Sequence, residues 1–139
     1  MIHKIENKWI AEMHFNIVQT GGEISIDADE AVGGKSKGLL PKPMMLSALA
    51  GCTSMDVVSM LKKMRAEVAG FEVHVTGDLT EEHPKVYQKV LVEYLFYGKD
   101  FQKDKIEKAV DLSVTRYCGV MEMFRSFAEV TVEIKYIEQ

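Results

Sequence analysis

Two cysteines, Cys52 and Cys118, have the side chains in this 139-residue sequence best suited to chemistry. A thiolate is a strong nucleophile, and two thiols can act together as a redox pair. A cysteine inside an apolar helix is more often a small buried packing residue. The residue types alone therefore leave both interpretations of Cys52 open, and the role of Cys118 depends on that of Cys52.

Other residue types offer weaker chemistry. The four histidines lack metal-ligand spacing, and no Ser/His/Asp arrangement can be argued. Nine methionines could supply thioether ligands for Cu(I), but filling irregular gaps in a core is the commoner role of methionine. We therefore predict neither a metal site nor a cofactor.

The composition is that of one soluble domain spanning residues 1–139. The net charge of −4 provides no extended basic face for nucleic acid. The uncharged run 44–55 is shorter than the roughly 20 residues that a membrane span needs, and the N-terminus lacks the apolar core of a signal peptide. We expect a cytoplasmic protein without a membrane span, in which two cysteines are more often reactive or inert than permanently bridged.

Cys52 lies near the middle of a long helix predicted over residues 41–65. Prolines suit its first turn, and Lys62, Lys63 and Arg65 suit its last. An apolar stripe through Val57, Leu61, Met64 and Val68 faces the predicted core, and helical geometry places Cys52 on another side. We expect a partner subunit to cover that side.

The remaining patterns predict strands and two further helical segments. Residues 9–18 and 24–26 form two strands with a glycine turn between them, and residues 27–38 form a mobile loop. Alternating strands follow over residues 71–77, 86–97 and 129–137. A helix with the apolar stripe Ile106, Ala109, Val110, Val114 and Tyr117 ends near Cys118, and a short helical piece follows. Strands and helices are segregated, which indicates an α+β class with a largely antiparallel sheet.

The order of these elements and two motifs resemble the OsmC/Ohr family. The motifs are ALAGCT, around Cys52, and RYCGV, around Cys118. The resemblance implies an OsmC-like fold in which sheet wraps a long central helix, assembled as an intertwined homodimer with active sites at the subunit interface. It also implies reduction of organic hydroperoxides, with Cys52 as the peroxidatic cysteine and Cys118 as the resolving cysteine. A dithiol reductant would then reset the pair.

The sequence departs from the family pattern in the groups that activate the thiolate. The family has an arginine in its N-terminal half and often a glutamate before the helical cysteine, but this chain has no arginine before Arg65 and has Lys42 and Pro43 where the acid is expected. Lys35, Lys37, Lys42 and Arg116 are the alternative cations. Asp56, one turn after Cys52, would disfavour the thiolate if the two side chains are close.

Three functions remain open at this level. The first is a thiol peroxidase using Cys52 and Cys118. The second is an OsmC-like protein that has lost efficient peroxidase chemistry and binds a small apolar ligand at the dimer interface. The third is a redox sensor that acts through a partner protein.

Overall fold

The computed structural model describes residues 1–139, which divide into two compact units, residues 1–45 and 46–139. Each unit contains one three-stranded sheet, and the second also contains most of the helical structure. The strands and helices are segregated along the chain, so the predicted α+β class is confirmed.

The first unit is an antiparallel sheet of three strands. They are β1 (Glu6–Ala11), β2 (His14–Gln19) and β3 (Gly22–Ile26). The prediction of a single strand over residues 9–18 is wrong, because the chain turns at Glu12, whose φ of 51° is left-handed. The glycine turn before β3 is confirmed, with Gly21 at a φ of 101°.

The segment after β3 is a hydrogen-bonded loop, where the sequence predicted a mobile one. Asp27 is only 3% exposed. Its carboxylate accepts hydrogen bonds from the backbone N–H groups of Ala28 (2.7 Å), Lys35 (3.3 Å) and Lys37 (3.1 Å). A short 3₁₀ turn, Glu30–Val32, lies between these donors. One carboxylate therefore joins both ends of the loop.

The sheet of the second unit has the strand order β4-β5-β6. Its strands are β4 (Gly70–Leu79), β5 (Tyr87–Gly98) and β6 (Glu129–Glu138). The β4/β5 pair is antiparallel, but β6 runs parallel to β5. A parallel pair needs a long crossover, and the helices between β5 and β6 provide it. The sheets of the chain are thus largely antiparallel, with one parallel pair.

Helix α1 (Pro43–Lys63) supplies the second unit's core with a broader face than the predicted stripe. Its buried residues are Leu49, Thr53, Val57 and Leu61. They pack with the inward side chains of β5, including Tyr94. By length and apolar composition, α1 is the one helix that could cross a membrane. Core helices of globular proteins share these properties, and the buried residues of α1 belong to such a core.

The crossover consists of α2 (Lys103–Leu112), a π-helical turn (Ser113–Tyr117) and α3 (Gly119–Arg125). The predicted stripe is confirmed at Ile106, Ala109 and Val110, all buried. Tyr117 is about half exposed, contrary to the prediction. The π turn changes the helical phase after Leu112, so the spacing of an uninterrupted α-helix no longer applies.

Candidate functional site

Cys52 lies on the third turn of α1, at the edge of that helix's buried face. Its side chain is half-buried and packs against the core of the second unit. The sequence placed Cys52 away from the core because the predicted stripe came only from residues 57–68, whereas Leu49 and Thr53 are buried as well. Thr53 is completely buried, which extends the core face towards Cys52.

Cys118 lies at the junction between the π-helical turn and α3. The π turn ends with a hydrogen bond from the Cys118 N–H to the Ser113 carbonyl, 2.9 Å long. The thiol Sγ caps α3 by accepting a hydrogen bond from the Met121 N–H at 3.3 Å. Cys118 is 3% exposed. The predicted position at a helix end is correct, and the cap fixes the direction of the thiol.

The fold brings the two sulfur atoms together with a carboxylate. The Sγ atoms of Cys52 and Cys118 and a carboxylate oxygen of Asp56 all lie within 4.8 Å of one another. Neither cysteine forms a disulfide. A disulfide requires an S–S bond of about 2.0 Å, so the sulfur atoms must approach by less than about 3 Å.

A chain of hydrogen bonds leads from this group into the core. Ser113 Oγ donates to Asp56 Oδ2 at 3.0 Å. Ser113 Oγ and Thr53 Oγ1 are 2.7 Å apart, and Thr53 Oγ1 and the Tyr94 hydroxyl are also 2.7 Å apart. Thr53, Tyr94 and Ser113 are all fully buried. Because each hydroxyl has a single proton, donation by Ser113 to Asp56 makes Thr53 the donor to Ser113 and Tyr94 the donor to Thr53.

The environment disfavours the charged forms of Cys118 and Tyr94. Burial raises the pKa of Cys118 to about 11, and the neighbouring Cys52 and Asp56 contribute to the increase, although the Met121 N–H opposes it. Burial likewise raises the pKa of Tyr94 to about 12. At neutral pH, Cys118 is therefore a thiol and Tyr94 keeps the proton it donates to Thr53.

The predicted cations are not all in the same part of the chain. Arg116 is exposed, and its guanidinium lies 5.3 Å from the Tyr117 ring. Within residues 46–139, no Lys or Arg pairs with Asp56. Lys35, Lys37 and Lys42 belong to the first unit, where the N–H groups of Lys35 and Lys37 bind Asp27 and Lys42 directly precedes α1. Their predicted role towards Cys52 stays a prediction.

Sequence reasoning missed three of the polar residues at this site. Thr53, Tyr94 and Ser113 are separated by 41 and 60 positions, so no local motif joins them. Asp56 was noticed only as an unfavourable neighbour of a Cys52 thiolate. The one available signal was the placement of Thr53 and Asp56 one and four residues after Cys52, on adjacent parts of one helical face.

Two thiols and a carboxylate are also a donor set that Zn²⁺ accepts. Tetrahedral coordination would bring these donor atoms to roughly 3.5–3.8 Å from one another. The sequence predicted no metal ligand because Cys52, Asp56 and Cys118 do not form a metal-binding motif. Because a bound metal ion would block both thiols, experiments on Cys52 and Cys118 need a chelator or a measurement of metal content.

The fold of this chain is shared with known proteins. Residues 34–134 match the family model described as OsmC-like protein. The chain therefore belongs to the OsmC-like family, as the two motifs predicted. It is 31% identical over 125 residues to Protein YhfA of Escherichia coli K12, covering 89% of this chain and 90% of that protein.

Solved structures with the same fold include both uncharacterised and named proteins. A hypothetical protein from Aquifex aeolicus is 28% identical, with a TM-score of 0.87 and coverage of 100% of this chain and 98% of that one. The organic hydroperoxide resistance protein OhrB of Bacillus subtilis is 17% identical, with a TM-score of 0.67 and coverage of 97% and 98%. The second likeness establishes a shared fold.

Proposed function

We propose that this protein is a thiol peroxidase that reduces small organic hydroperoxides. The observation that carries the proposal is the placement of two free thiols, Cys52 and Cys118, within 4.8 Å of each other. Membership of the OsmC-like family, and a fold shared with a protein named for organic hydroperoxide resistance, support the choice of substrate. Cys52 is the attacking residue because it is half-buried, whereas Cys118 is almost fully enclosed.

The reaction has two thiol steps and a reset. The Cys52 thiolate attacks the O–O bond, so that one oxygen becomes a sulfenic acid on Cys52 and the other leaves as an alcohol after gaining a proton. The Cys118 sulfur then attacks the Cys52 sulfur, forming the S–S bond and breaking the S–O bond, with water as the product. A dithiol reductant restores both thiols and is itself oxidised to a disulfide.

A homodimer is part of the proposal. On α1, Met55 is 76% exposed and Val58 is 39% exposed, although both are apolar. Such a face on a core helix is suited to burial against a second copy of the chain. The cation that assists Cys52 would be Lys35, Lys37, Lys42 or Arg116, and the protein would act in the cytoplasm.

The test is oxidation of the fully reduced protein by cumene hydroperoxide without added thiol. We expect one equivalent to form an intramolecular Cys52–Cys118 disulfide, observed by intact mass as a loss of two hydrogen atoms. Cys118→Ser should stop at a sulfenic acid on Cys52 that dimedone traps. Cys52→Ser should not consume the hydroperoxide.

The control is the same reaction with hydrogen peroxide, which separates preference for an organic substrate from general thiol oxidation. A Cys52→Ser protein that consumes cumene hydroperoxide as fast as the unmodified protein would refute the assignment. Negligible consumption by the unmodified protein would instead favour an OsmC-like protein that binds an apolar ligand at the dimer interface without efficient turnover.

A further inference from the structure

Asp56 is the acidic group beside both sulfur atoms, and the proposed peroxidase reaction leaves its role open. We infer that the Asp56 carboxylate is the general base for Cys118 when Cys118 attacks Cys52, and that it passes the proton to the leaving group. This inference rests on the proposed function for its oxidised substrate, a sulfenic acid on Cys52. The step itself, attack by a buried thiol on an oxidised Cys52, can be examined without a hydroperoxide.

The position of Asp56 meets the requirement for proton transfer at both sulfur atoms. A carboxylate oxygen lies within 4.8 Å of Cys52 Sγ and of Cys118 Sγ. Asp56 and Cys52 are one helical turn apart on α1, so both side chains face the same region. These distances exceed a hydrogen bond by a short approach only, and catalytic hydrogen bonds are often this long before substrate binds.

Cys118 needs a base because its surroundings keep it protonated. The side chain is only 3% exposed, and burial disfavours the charged thiolate. The same side chain must act as a nucleophile for the disulfide to form, and only the thiolate is an effective nucleophile. If a base removes the Cys118 proton during the attack, a free Cys118 thiolate does not have to form first.

The hydroxyl chain behind Asp56 orients its carboxylate. Ser113 donates to Oδ2, and the Thr53 and Tyr94 hydroxyls orient Ser113 from the core side. A carboxylate has about four acceptor positions, so Asp56 can accept a proton from a thiol while it keeps the hydrogen bond from Ser113. Ser113, Thr53 and Tyr94 are therefore positioning residues, and Asp56 is the catalytic one.

The step balances without another reactant. The Cys118 S–H bond breaks as the S–S bond forms, and the proton moves to Asp56. The Cys52 S–O bond breaks, and the leaving hydroxide takes that proton to become water. Asp56 ends as the carboxylate with which it began, so one carboxylate serves every turnover.

The experiment compares Asp56→Asn with Asp111→Asn, a control that replaces an exposed carboxylate on α2. Both are studied with a chelator present, because Cys52, Asp56 and Cys118 could bind Zn²⁺. Each protein is oxidised by cumene hydroperoxide, and the reaction is quenched at successive times. Dimedone trapping then measures the sulfenic acid, and intact mass measures the disulfide. We expect Asp56→Asn to form the sulfenic acid at least as fast as the unmodified protein, because a negative charge beside Cys52 is removed, but to close the disulfide about 100-fold more slowly.

A second arm uses dithiobis-nitrobenzoate, which oxidises Cys52 to a mixed disulfide and releases one coloured thiolate. Attack by Cys118 then releases a second coloured thiolate, with its proton going to Asp56. We expect this second release to be slow in Asp56→Asn and normal in Asp111→Asn. If the unmodified protein does not consume hydroperoxide, the proposed function fails. If the second release is nevertheless slow in Asp56→Asn and normal in the unmodified protein, the role of Asp56 as the base for Cys118 stands.

Chemical rescue separates a base from a structural carboxylate. In Asp56→Gly, added acetate should restore part of the closure rate, because an external carboxylate can occupy the vacated space. Closure at the normal rate in Asp56→Asn would overturn the inference. Slow closure together with a lowered unfolding temperature and no acetate rescue would also overturn it, by assigning Asp56 a structural role.

Discussion

Asp27 and Asp56 lie in different units of the chain, and their carboxylates have different hydrogen-bond partners. Both oxygens of Asp27 are used, Oδ1 by the N–H of Ala28 and Oδ2 by those of Lys35 and Lys37. Asp56 accepts one hydrogen bond, from the Ser113 hydroxyl, and faces two thiols. Backbone donors cannot be removed without moving the chain, whereas a hydroxyl and a thiol can exchange protons.

The contrast indicates how a structural carboxylate differs from a reactive one. Burial by itself would raise the pKa of Asp27, but the three backbone hydrogen bonds outweigh it and the pKa is lowered overall. Asp27 therefore stays charged and holds its loop. Asp56 has spare acceptor capacity beside an enclosed thiol, which is the arrangement that proton transfer needs. Each expected outcome below examines one side of this comparison.

Gly34→Ala should have the largest effect, on the Asp27 side. A Cβ at residue 34 would lie 1.8 Å from the backbone oxygen of Ala28, so the backbone of the loop must move. We expect a loss of about 3 kcal/mol in the free energy of unfolding, measured by denaturant titration at fixed protein concentration. Gly119→Ala is the matched control, because nothing lies within 4 Å of the position of its Cβ.

The control should change the free energy of unfolding by less than about 1 kcal/mol. Equal, small effects of the two substitutions would show that the loop accommodates a Cβ. The loop that Asp27 holds together by hydrogen bonds would then be less closely packed than the structure indicates.

Thr53→Val should have the next largest effect, on the Asp56 side. Valine preserves the shape but removes the partner shared by the buried Tyr94 and Ser113 hydroxyls. We expect a loss of about 1–3 kcal/mol, because a buried hydroxyl without a partner retains its desolvation penalty. Thr131→Val, at an exposed position of β6, is the control and should be nearly neutral.

The same substitution examines the positioning role of Thr53. Ser113 loses the donor that fixes its orientation, so closure of the Cys52–Cys118 disulfide should slow about tenfold, less than in Asp56→Asn. If Thr53→Val lowers the free energy of unfolding but the disulfide still closes at the normal rate, the hydroxyl chain contributes to stability and not to the reaction.

Local patterns predicted much of this architecture because the information lies within single elements. Helix α1, the β4/β5 pair, α2 and the short α3 follow from periodicity and from glycine or proline signals. The order of ALAGCT and RYCGV predicted the family. The turn at Glu12 was missed because residues 9–18 contain neither glycine nor proline, the residues that usually mark a break between strands.

The polar part of the site could not be predicted in this way. Asp56 and Ser113 are 57 residues apart, and their hydrogen bond depends on how the crossover packs on α1. The direction of β6 has the same origin, since a strand's sequence does not specify whether its neighbour is parallel. Thr53 was not predicted to be a core residue because a threonine is buried only where other groups satisfy its hydroxyl, and those groups lie on other elements.

The titration of Asp27 is the smallest of the expected effects and addresses the comparison most directly. A carboxyl whose pKa is lowered by folding stabilises the folded state fully above its unfolded pKa, near 3.8, and that contribution is lost as pH falls through the folded pKa. The amide resonances of Lys35 and Lys37 should therefore shift together with a midpoint below 3.8, because both N–H groups bind the same oxygen. Asp27→Asn should abolish that shared titration. A midpoint at or above 3.8 would mean that burial outweighs the three hydrogen bonds, and Asp27 would then lose its distinction as the permanently charged carboxylate of the pair.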